Sequence, residues 1–300
     1  MEYSLDKGNA VDALTYQRAS TLSPQRVVAA FNRAFEGYFV PMTHTVDSLG
    51  TLIAVNAISL AHSFVAVDDA GQVVGIVLLA MRGARGWIGG MGLAPEWRGR
   101  GQAAPLMRSA LDEARTLGLA SVDLEVLARN TPARRLYARL GFQNMRFLTV
   151  FTGPLTHDAT SMPIQQPLPI REVEVARALA DFATLHQTPP PWQRELPALI
   201  AMASTLRATA IMDGEEVRAY LICLASAGSG HSIMDFGSRA ATQEARRDDA
   251  LALIGALVGP TPEAPVRAIN VAPGDALGDA LTLLGCPTPH MQWEMKLELG

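Results

Sequence analysis

The chain has 300 residues, which is enough for about two domains. Hydrophobic residues make up 49% and charged residues 18%, so the chain can bury an apolar core and is not intrinsically disordered. A net charge of −4 without a basic cluster excludes a general nucleic-acid binder, which needs concentrated positive charge. The two cysteines, Cys223 and Cys286, have no metal-ligand or CxxC spacing. This predicts core cysteines, no metal site and a reducing, cytoplasmic setting.

One uncharged segment, from Ser48 to Val67, raises the question of a membrane span, which needs about 20 apolar residues. Several polar residues interrupt it, and its end runs into the turn sequence Asp68-Asp69-Ala70-Gly71. We therefore expect a buried helix followed by a strand, and no membrane association. The N-terminus has no apolar run behind a basic start, so no signal peptide is predicted.

The first half alternates between strand and helix patterns, which predicts a mixed α/β fold. In chain order the patterns are a strand at 13–18, a helix capped by Ser23, a hairpin of 63–67 with 73–80, a glycine-rich strand at 87–93, a helix at 103–117 ended by Gly118, a strand at 122–126 and a helix capped by Asn130 and ended by Gly141.

The second half repeats this order with little sequence identity. A hairpin around Asp213-Gly214 is followed by a helix at 250–257, a strand at 266–271, a helix at 276–284 and a last strand at 292–299. Four prolines between 153 and 169 have the composition of a linker. We therefore predict a first domain over 1–155, a linker over 156–168 and a second domain over 169–300.

The segment from Gly92 to Ala104 carries the clearest chemical signal. A strand ends, a short loop turns, and a helix begins at small residues, so that backbone N–H groups and the helix dipole form a cradle for an anion. A plain glycine turn with solvated arginines is the alternative. The dinucleotide pattern GxGxxA is also present, but it should follow its strand directly and open a βαβ unit, and here residues 94–98 intervene after hairpins.

This segment resembles the GNAT acyltransferase family. The family pattern R/Q-x-x-G-x-G/A is met by Arg98, Gly101 and Ala103, and Leu93-Ala94-Pro95 resembles the strand exit before it. A second block of the family is matched by Leu124-Glu125-Val126, Asn130, Ala133, Leu136-Tyr137 and Gly141-Phe142. The resemblance covers about residues 12–150 and implies, for the whole chain, two GNAT-like mixed β-sheet domains in tandem, each with helices on both faces.

The resemblance also implies a cosubstrate and the residues that hold it. It implies acetyl-CoA in the gap between splayed fourth and fifth strands, a small-molecule amine as acceptor and no metal; a homodimer is left open. The implied acetyl-CoA-binding residues are Met91, Gly92, Leu93, Arg98, Gly99, Arg100, Gly101, Gln102, Ala103, Ala104, Asn130 and Ala133. In the second half, Gln243, Arg246 and Asp248 fall near the loop positions, which indicates a degenerate copy.

The chemistry of acetyl transfer needs an acid for the leaving thiolate and a base for the amine. By resemblance Tyr137 is the acid. The fourth strand carries no carboxylate, so Glu36 is our candidate base, with Glu125, a histidine or a water relay as alternatives. Gly89 and Gly90 are expected to leave room for a bulky acceptor. We predict an N-acetyltransferase that acts by direct attack, with a non-catalytic acyl-CoA-binding or regulatory module as the alternative.

Overall fold

The computed structural model describes residues 14–162, 168–225, 230–259 and 264–300. The chain divides into two compact units, the first made of residues 1–125, 130–143 and 295–300 and the second of 126–129 and 144–294. The linker expected over 156–168 stays a prediction, since 163–167 lie outside the described residues. Within it, Ala159–Ser161 form a 3-10 turn, and Ala159 is buried in a core of the second unit.

The first unit contains five strands and four helices among the described residues. They are β1 (Thr15–Arg18), α1 (Pro24–Ala34), α2 (Val46–Val55), β2 (Phe64–Val67), β3 (Val73–Arg82), β4 (Arg85–Leu93), α3 (Ala103–Thr116), β5 (Ser121–Leu127) and α4 (Thr131–Arg139). Strands β1 to β4 pair in chain order as antiparallel neighbours, and β5 is parallel to β4.

Helices α1 and α3 cover opposite faces of this sheet. A β-carbon on Gly92 would lie 2.7 Å from the carbonyl oxygen of Ala34, the last residue of α1. A β-carbon on Gly75 would instead contact Leu93 and Leu106, the latter on α3. Because neighbouring strand residues point to opposite faces, the contacts of Gly92 and Leu93 put the two helices on different sides.

Local signals in the sequence explain where these elements start and stop. The hydroxyl of Ser23 accepts from the backbone of Arg26 at the start of α1, and Asp68 accepts from Ala70 and Gln72 in the hairpin turn. The helix α3 buries one stripe and is followed by Gly118 with a φ of +70°. The predicted capped helix, hairpin and turn are confirmed.

The helix α2 differs from the expectation. It forms and is followed by β2, but Leu49 is the only one of its residues that is buried. The prediction of a buried helix is therefore wrong, because the apolar residues of α2 lie mostly on a partly exposed surface. Among the described residues, no helix is long and apolar enough to cross a membrane.

The second unit begins with the long strand β6. Its elements are β6 (Gln143–Gly153), β7 (Ile170–Val173), α5 (Val175–Leu179), α6 (Phe182–Leu185), α7 (Leu196–Ala201), β8 (Leu206–Asp213), β9 (Glu216–Leu224), β10 (His231–Ser238), α8 (Gln243–Val258), β11 (Val266–Val271), α9 (Ala276–Leu283) and β12 (His290–Glu298), the last four residues of β12 belonging to the first unit.

The sheet of this unit has the same plan as the first. Strands β7 to β10 pair in chain order as antiparallel neighbours, and β11 is parallel to β10 and antiparallel to β6. Alternate residues of β9 enter two cores: Leu221 and Cys223 pack with α8 and α9, whereas Tyr220 and Ile222 pack with α5 and α7. Both cysteines are buried as predicted, and burial raises the pKa of Cys286 to about 11.

Candidate active site

The edge of β4 opens where its pairing with β5 stops. The parallel pairs are Arg85 with Ser121, Gly86 with Val122 and Trp87 with Asp123, and no pair follows among the described residues. On the other side β4 stays paired with β3 as far as Leu93, with a bulge at Gly89. Residues 88–93 of β4 therefore have one paired edge and one edge without a strand partner among the described residues, which is the splay that the GNAT resemblance implies.

The hydrogen-bond alternation along β4 shows which backbone groups face this open edge. The N–H of Ala94 donates to the Val74 carbonyl at 2.8 Å. The backbone N–H and C=O groups of residue 94, and of every second residue before it (92 and 90), therefore point towards β3. Met91 and Leu93 consequently direct their N–H and C=O groups to the opposite side. Consistent with this, the Leu93 carbonyl accepts from the Arg98 side chain rather than from β3.

The loop after β4 has the geometry of an anion cradle. Gly99 and Gly101 have φ values of +75° and +79°, and a β-carbon on either would meet no atom within 4 Å. The N-cap of α3, Gln102, gives the helix no side-chain cap within the described residues, and its side chain is buried. The first turn of α3, at Ala103 and Ala104, thus has backbone N–H groups that Gln102 does not cap, at the positive end of the helix dipole and next to two glycines with open space around them.

The two arginines of the loop have different surroundings. Arg98 donates from Nε to the Leu93 carbonyl at 2.9 Å and from Nη2 to the carbonyls of Ala34 at 3.1 Å and Glu36 at 2.6 Å. It therefore joins the end of β4 to the end of α1. Arg100 is exposed, with its guanidinium 5.5 Å from the centre of the Trp97 ring. The contact of these arginines with a pyrophosphate stays a prediction. The structure shows, in addition, that Arg98 holds β4 and α1 together through backbone carbonyls.

Asn130 and Ala133 form the local cap of α4. The Asn130 side chain accepts from the backbone N–H of Ala133 at 3.2 Å, as the helix-start signal predicts. The Ala133 N–H and the Asn130 side-chain oxygen are therefore hydrogen-bonded to each other in this structure. The role of these two residues in acetyl-CoA binding stays a prediction.

Tyr137 lies on the buried face of α4. Its side chain is 7% exposed, and its ring centre is 5.9 Å from that of Phe142. Burial, and to a lesser degree Tyr38, raises the pKa of Tyr137 well above its ordinary value. The hydroxyl therefore holds its proton firmly, which suits a hydrogen-bond donor and makes the phenolate unfavourable.

Glu36 lies at the exposed end of α1. Its carboxylate accepts from Arg33 at 2.6 Å, and its side chain is 56% exposed. Arg33 also pairs with Glu96. Glu36 as the catalytic base stays a prediction, but the structure shows a solvated ion pair at this position.

The space beside the β4 glycines is filled, which corrects one expectation. A β-carbon on Gly89 would lie 2.6 Å from the Trp87 ring and 2.8 Å from Ile58, and one on Gly90 would lie 3.0 Å from Phe31. Gly89 and Gly90 therefore do not leave room for a bulky acceptor. They are small because aromatic side chains of the same unit pack directly against the strand.

One contact at the open edge was missed by sequence reasoning. The indole N–H of Trp87 donates to Glu125 Oε2 at 2.7 Å, across the end of the β4–β5 pairing. Trp87 is 2% exposed and Glu125 is partly buried. The alternating pattern of β5 indicates a strand but not which face its acid takes; only the pairing of Trp87 with Asp123 settles it.

The second unit repeats the split strand but not the cradle. Strand β10 pairs with β11 only over residues 231–233 and has a bulge before Asp235, as β4 has before Gly90. However, the loop between β10 and α8 is only residues 239–242, four against the nine of 94–102. The Thr242 side chain caps α8 by accepting from Ala245.

This geometry corrects the predicted correspondence between the two halves. Gln243, Arg246 and Asp248 lie inside α8 and not in the loop that precedes it. Arg246 donates back to the Ala240 carbonyl, and Asp248 pairs with Arg247. The conclusion that this half is degenerate rests instead on the missing loop residues and the capped helix.

The counterpart of the open edge in the second unit is filled by a buried polar network. Asp235 is fully buried and accepts from Tyr220 at 2.7 Å, from Arg194 at 3.1 Å and from His186 at 3.3 Å. Arg194 also pairs with Asp275, the N-cap of α9. The cavity beside this network has about 30 Å³, enough for one or two water molecules. Trp192 lies in the same 3-10 turn as Arg194, Trp192–Arg194, and is buried.

A comparison of sequences decides the family of the first unit. Residues 30–142 match the model of the acetyltransferase (GNAT) family. This part of the chain is a GNAT acetyltransferase domain. The resemblance based on Arg98, Gly101 and Ala103 is confirmed, and the GNAT fold supports acyl transfer in general. A comparison with curated proteins gives no match.

Solved structures show that the GNAT fold extends over the whole chain. A GCN5-related N-acetyltransferase from Sphaerobacter thermophilus has a TM-score of 0.69 at 13% identity, over 97% of this chain and 96% of that one. A tandem GNAT protein from the clavulanic acid biosynthesis pathway has a TM-score of 0.66 at 12% identity, over 96% and 99%. A GCN5-related N-acetyltransferase from Anabaena variabilis has a TM-score of 0.62 at 19% identity, over 96% of this chain and 73% of that one. The predicted tandem GNAT fold is confirmed.

Proposed function

We propose that the first unit is an acetyl-CoA-dependent N-acyltransferase that moves an acetyl group to a small-molecule amine by direct attack. The observation that carries this proposal is the continuity of two features. The unpaired edge of β4 leads directly into the open glycine loop at the uncapped start of α3. A strand edge that can pair with an extended amide chain, followed by an anion cradle, suits a pantetheine arm followed by a pyrophosphate.

Acetyl-CoA, when bound, supplies an acyl group activated as a thioester. The backbone of Met91 and Leu93 would pair with its amide arm and donate to the carbonyl oxygen that gains charge. The N–H groups around Gly101 and the first turn of α3 would hold the pyrophosphate. The fit is supported by the absence of any described atom within 4 Å of a β-carbon at Gly99 or Gly101.

Tyr137 would act as the donor to the leaving sulfur. Because burial raises its pKa, we expect it to stabilise the departing thiolate through a hydrogen bond while retaining most of its proton. The four-residue loop, the Thr242 cap and the Asp235 network indicate that the second unit binds no coenzyme. A cytoplasmic setting remains part of this proposal.

One observation keeps a second function open: β4 carries no carboxylate, and Glu36 is committed to Arg33. A module of this kind would bind acyl-CoA without turnover. The two functions are separated by incubating the full chain with acetyl-CoA, with and without pools of small amines, while free thiol is measured. The enzyme releases one thiol for each acetylated amine, whereas the module binds acetyl-CoA and shows no amine-dependent release.

A further inference from the structure

The strongest unassigned group at the open edge is the carboxylate of Glu125. Trp87 is the last β4 residue paired with β5, and its partner is Asp123. Glu125 lies two residues further along β5, so continued pairing would have placed it opposite Gly89, the bulge residue of β4. The acid is therefore at the apex of the split, where the two strands begin to separate.

The face that Glu125 takes is fixed by its neighbours. Asp123 and Glu125 share a face of β5, and it is the face of Trp87, whose indole holds the Glu125 carboxylate at 2.7 Å. The Trp87 ring lies under Gly89, close to Ile58, on the side of the sheet away from α3. A carboxylate held by a buried donor beside the open edge is oriented in a way that an exposed acid such as Glu36 is not.

We propose that Glu125 is the general base of the reaction and that Trp87 is its positioning residue; the proposal rests on the proposed N-acyltransferase function. Glu125 binds the acceptor ammonium and takes one of its protons. The nitrogen lone pair then forms the C–N bond while the C–S bond breaks and its electrons go to sulfur. Tyr137 stabilises the departing thiolate through a hydrogen bond; the nitrogen of the new amide loses its second proton to solvent, the thiolate takes a proton from solvent, and Glu125 releases its proton to solvent.

The geometry makes this assignment self-consistent. Met91, whose N–H faces the open edge, lies two residues beyond the bulge, about 7 Å along the strand at about 3.3 Å per residue. The strand position opposite Glu125 and the N–H of Met91 are thus about 7 Å apart along β4. Two ion pairs lie near this stretch: Arg85 is 3.9 Å from Asp123, and Lys296 pairs with Glu298.

The test compares two carboxylates of one strand face in the full chain. Glu125→Gln should lower kcat/KM for the amine by about 10²- to 10³-fold near neutral pH, while the Kd for acetyl-CoA stays within about twofold of the parent. Asp123→Asn removes the same charge two residues away and should leave kcat/KM within a few-fold. If the parent is active and Glu125→Gln has the same kcat/KM, the assignment of Glu125 as the base is wrong while the proposed function stands. The same holds if Glu36→Gln, rather than Glu125→Gln, lowers kcat/KM.

A second variant separates positioning from packing. Trp87→Phe keeps an aromatic ring but removes the N–H donor, so the charged carboxylate loses stabilisation and the acid limb of the kcat/KM profile should move to higher pH by about one unit. Binding of acetyl-CoA by this variant reports that it is folded. An unmoved limb contradicts the positioning role. A parent without amine-dependent thiol release overturns the proposed function, and this inference with it.

Discussion

At the scale of single residues, the proposed acid, Tyr137, and the proposed base, Glu125, differ in their surroundings. Tyr137 is buried on the apolar face of α4, with its ring centre 5.9 Å from that of Phe142, and burial raises the pKa of its hydroxyl. The Glu125 carboxylate is partly buried and accepts the indole N–H of Trp87 at 2.7 Å. A buried hydroxyl and a carboxylate held by a hydrogen bond therefore occur in the same unit.

The residue-scale prediction is for Tyr137→Phe, which removes only the hydroxyl. We expect kcat to fall by roughly 10²-fold, because the sulfur loses its hydrogen-bond donor, while the Kd for acetyl-CoA and the Tm stay near the parent values. Steady-state kinetics and thermal unfolding measure these quantities. An unchanged kcat, with chemistry shown to be the slow step, would make Tyr137 a packing residue only.

At the scale of elements, the same strand–loop–helix unit occurs twice with opposite outcomes. The loop before α3 is long, has two glycines at positive φ and leaves the helix start uncapped, whereas the loop before α8 is short and capped by Thr242. A helix start with unpaired N–H groups attracts anions, whereas in a capped helix start one of these N–H groups is already hydrogen-bonded to the cap. The proposed coenzyme site and the capped helix of the second unit thus differ by a few loop residues.

The first element-scale prediction compares two substitutions of Gly101. Both place a side chain at a φ of +79°, so both carry the same backbone strain of about 1–2 kcal/mol. Gly101→Glu adds a negative charge in the cradle and should weaken acetyl-CoA binding at least 10-fold more than Gly101→Ala does. Calorimetry on the two folded variants measures the difference. Equal affinities would mean that the pyrophosphate lies elsewhere.

A second element-scale prediction concerns the buried network of the second unit. Burial alone would lower the pKa of His186, but the Asp235 carboxylate outweighs it and raises that pKa above the ordinary value. The folded-state pKa is then higher than that of the unfolded chain, about 6.5, so the stabilisation is complete below this pH and is lost as the pH rises through the folded-state value.

We therefore expect the free energy of unfolding of the parent to fall as the pH rises from about 6.5 through the folded-state pKa of His186, and to fall less in His186→Gln. Urea titrations across this range measure it. Asp235 contributes no slope here, because burial would raise its pKa but His186, Arg194 and Tyr220 outweigh burial and lower the pKa below the usual range of a carboxyl group. Parallel slopes in the two proteins would contradict the account.

The elements also show what the sequence can and cannot predict. The stripe of α3, the Ser23 and Asn130 caps and the glycine stops are local signals, and each of them is borne out. The clamp of Arg98 on Ala34 and Glu36 joins residues more than 60 positions apart, which no periodicity encodes. The expectation that Gly89 and Gly90 leave room for a bulky acceptor is wrong for the same reason, because Ile58 and Phe31, which fill this space, are distant in the sequence.

At the scale of the whole molecule, the chain carries one complete GNAT architecture and one that has retained the strands but lost the cradle. Both units have the split between fourth and fifth strands and the bulge beside it. Only the first has the open loop, and in the second a fully buried aspartate with three donors occupies the corresponding strand position. Duplication followed by filling of one site accounts for this asymmetry.

The most direct test of this account is a calorimetric titration of the full chain with acetyl-CoA, repeated on Gly101→Glu. The account predicts one coenzyme bound per chain and strongly weakened binding in the variant, since the only open cradle among the described residues is the one before α3. Two coenzymes per chain would contradict the degenerate second unit. No binding by the parent, or unaltered binding by Gly101→Glu, would contradict the assignment of the cradle itself.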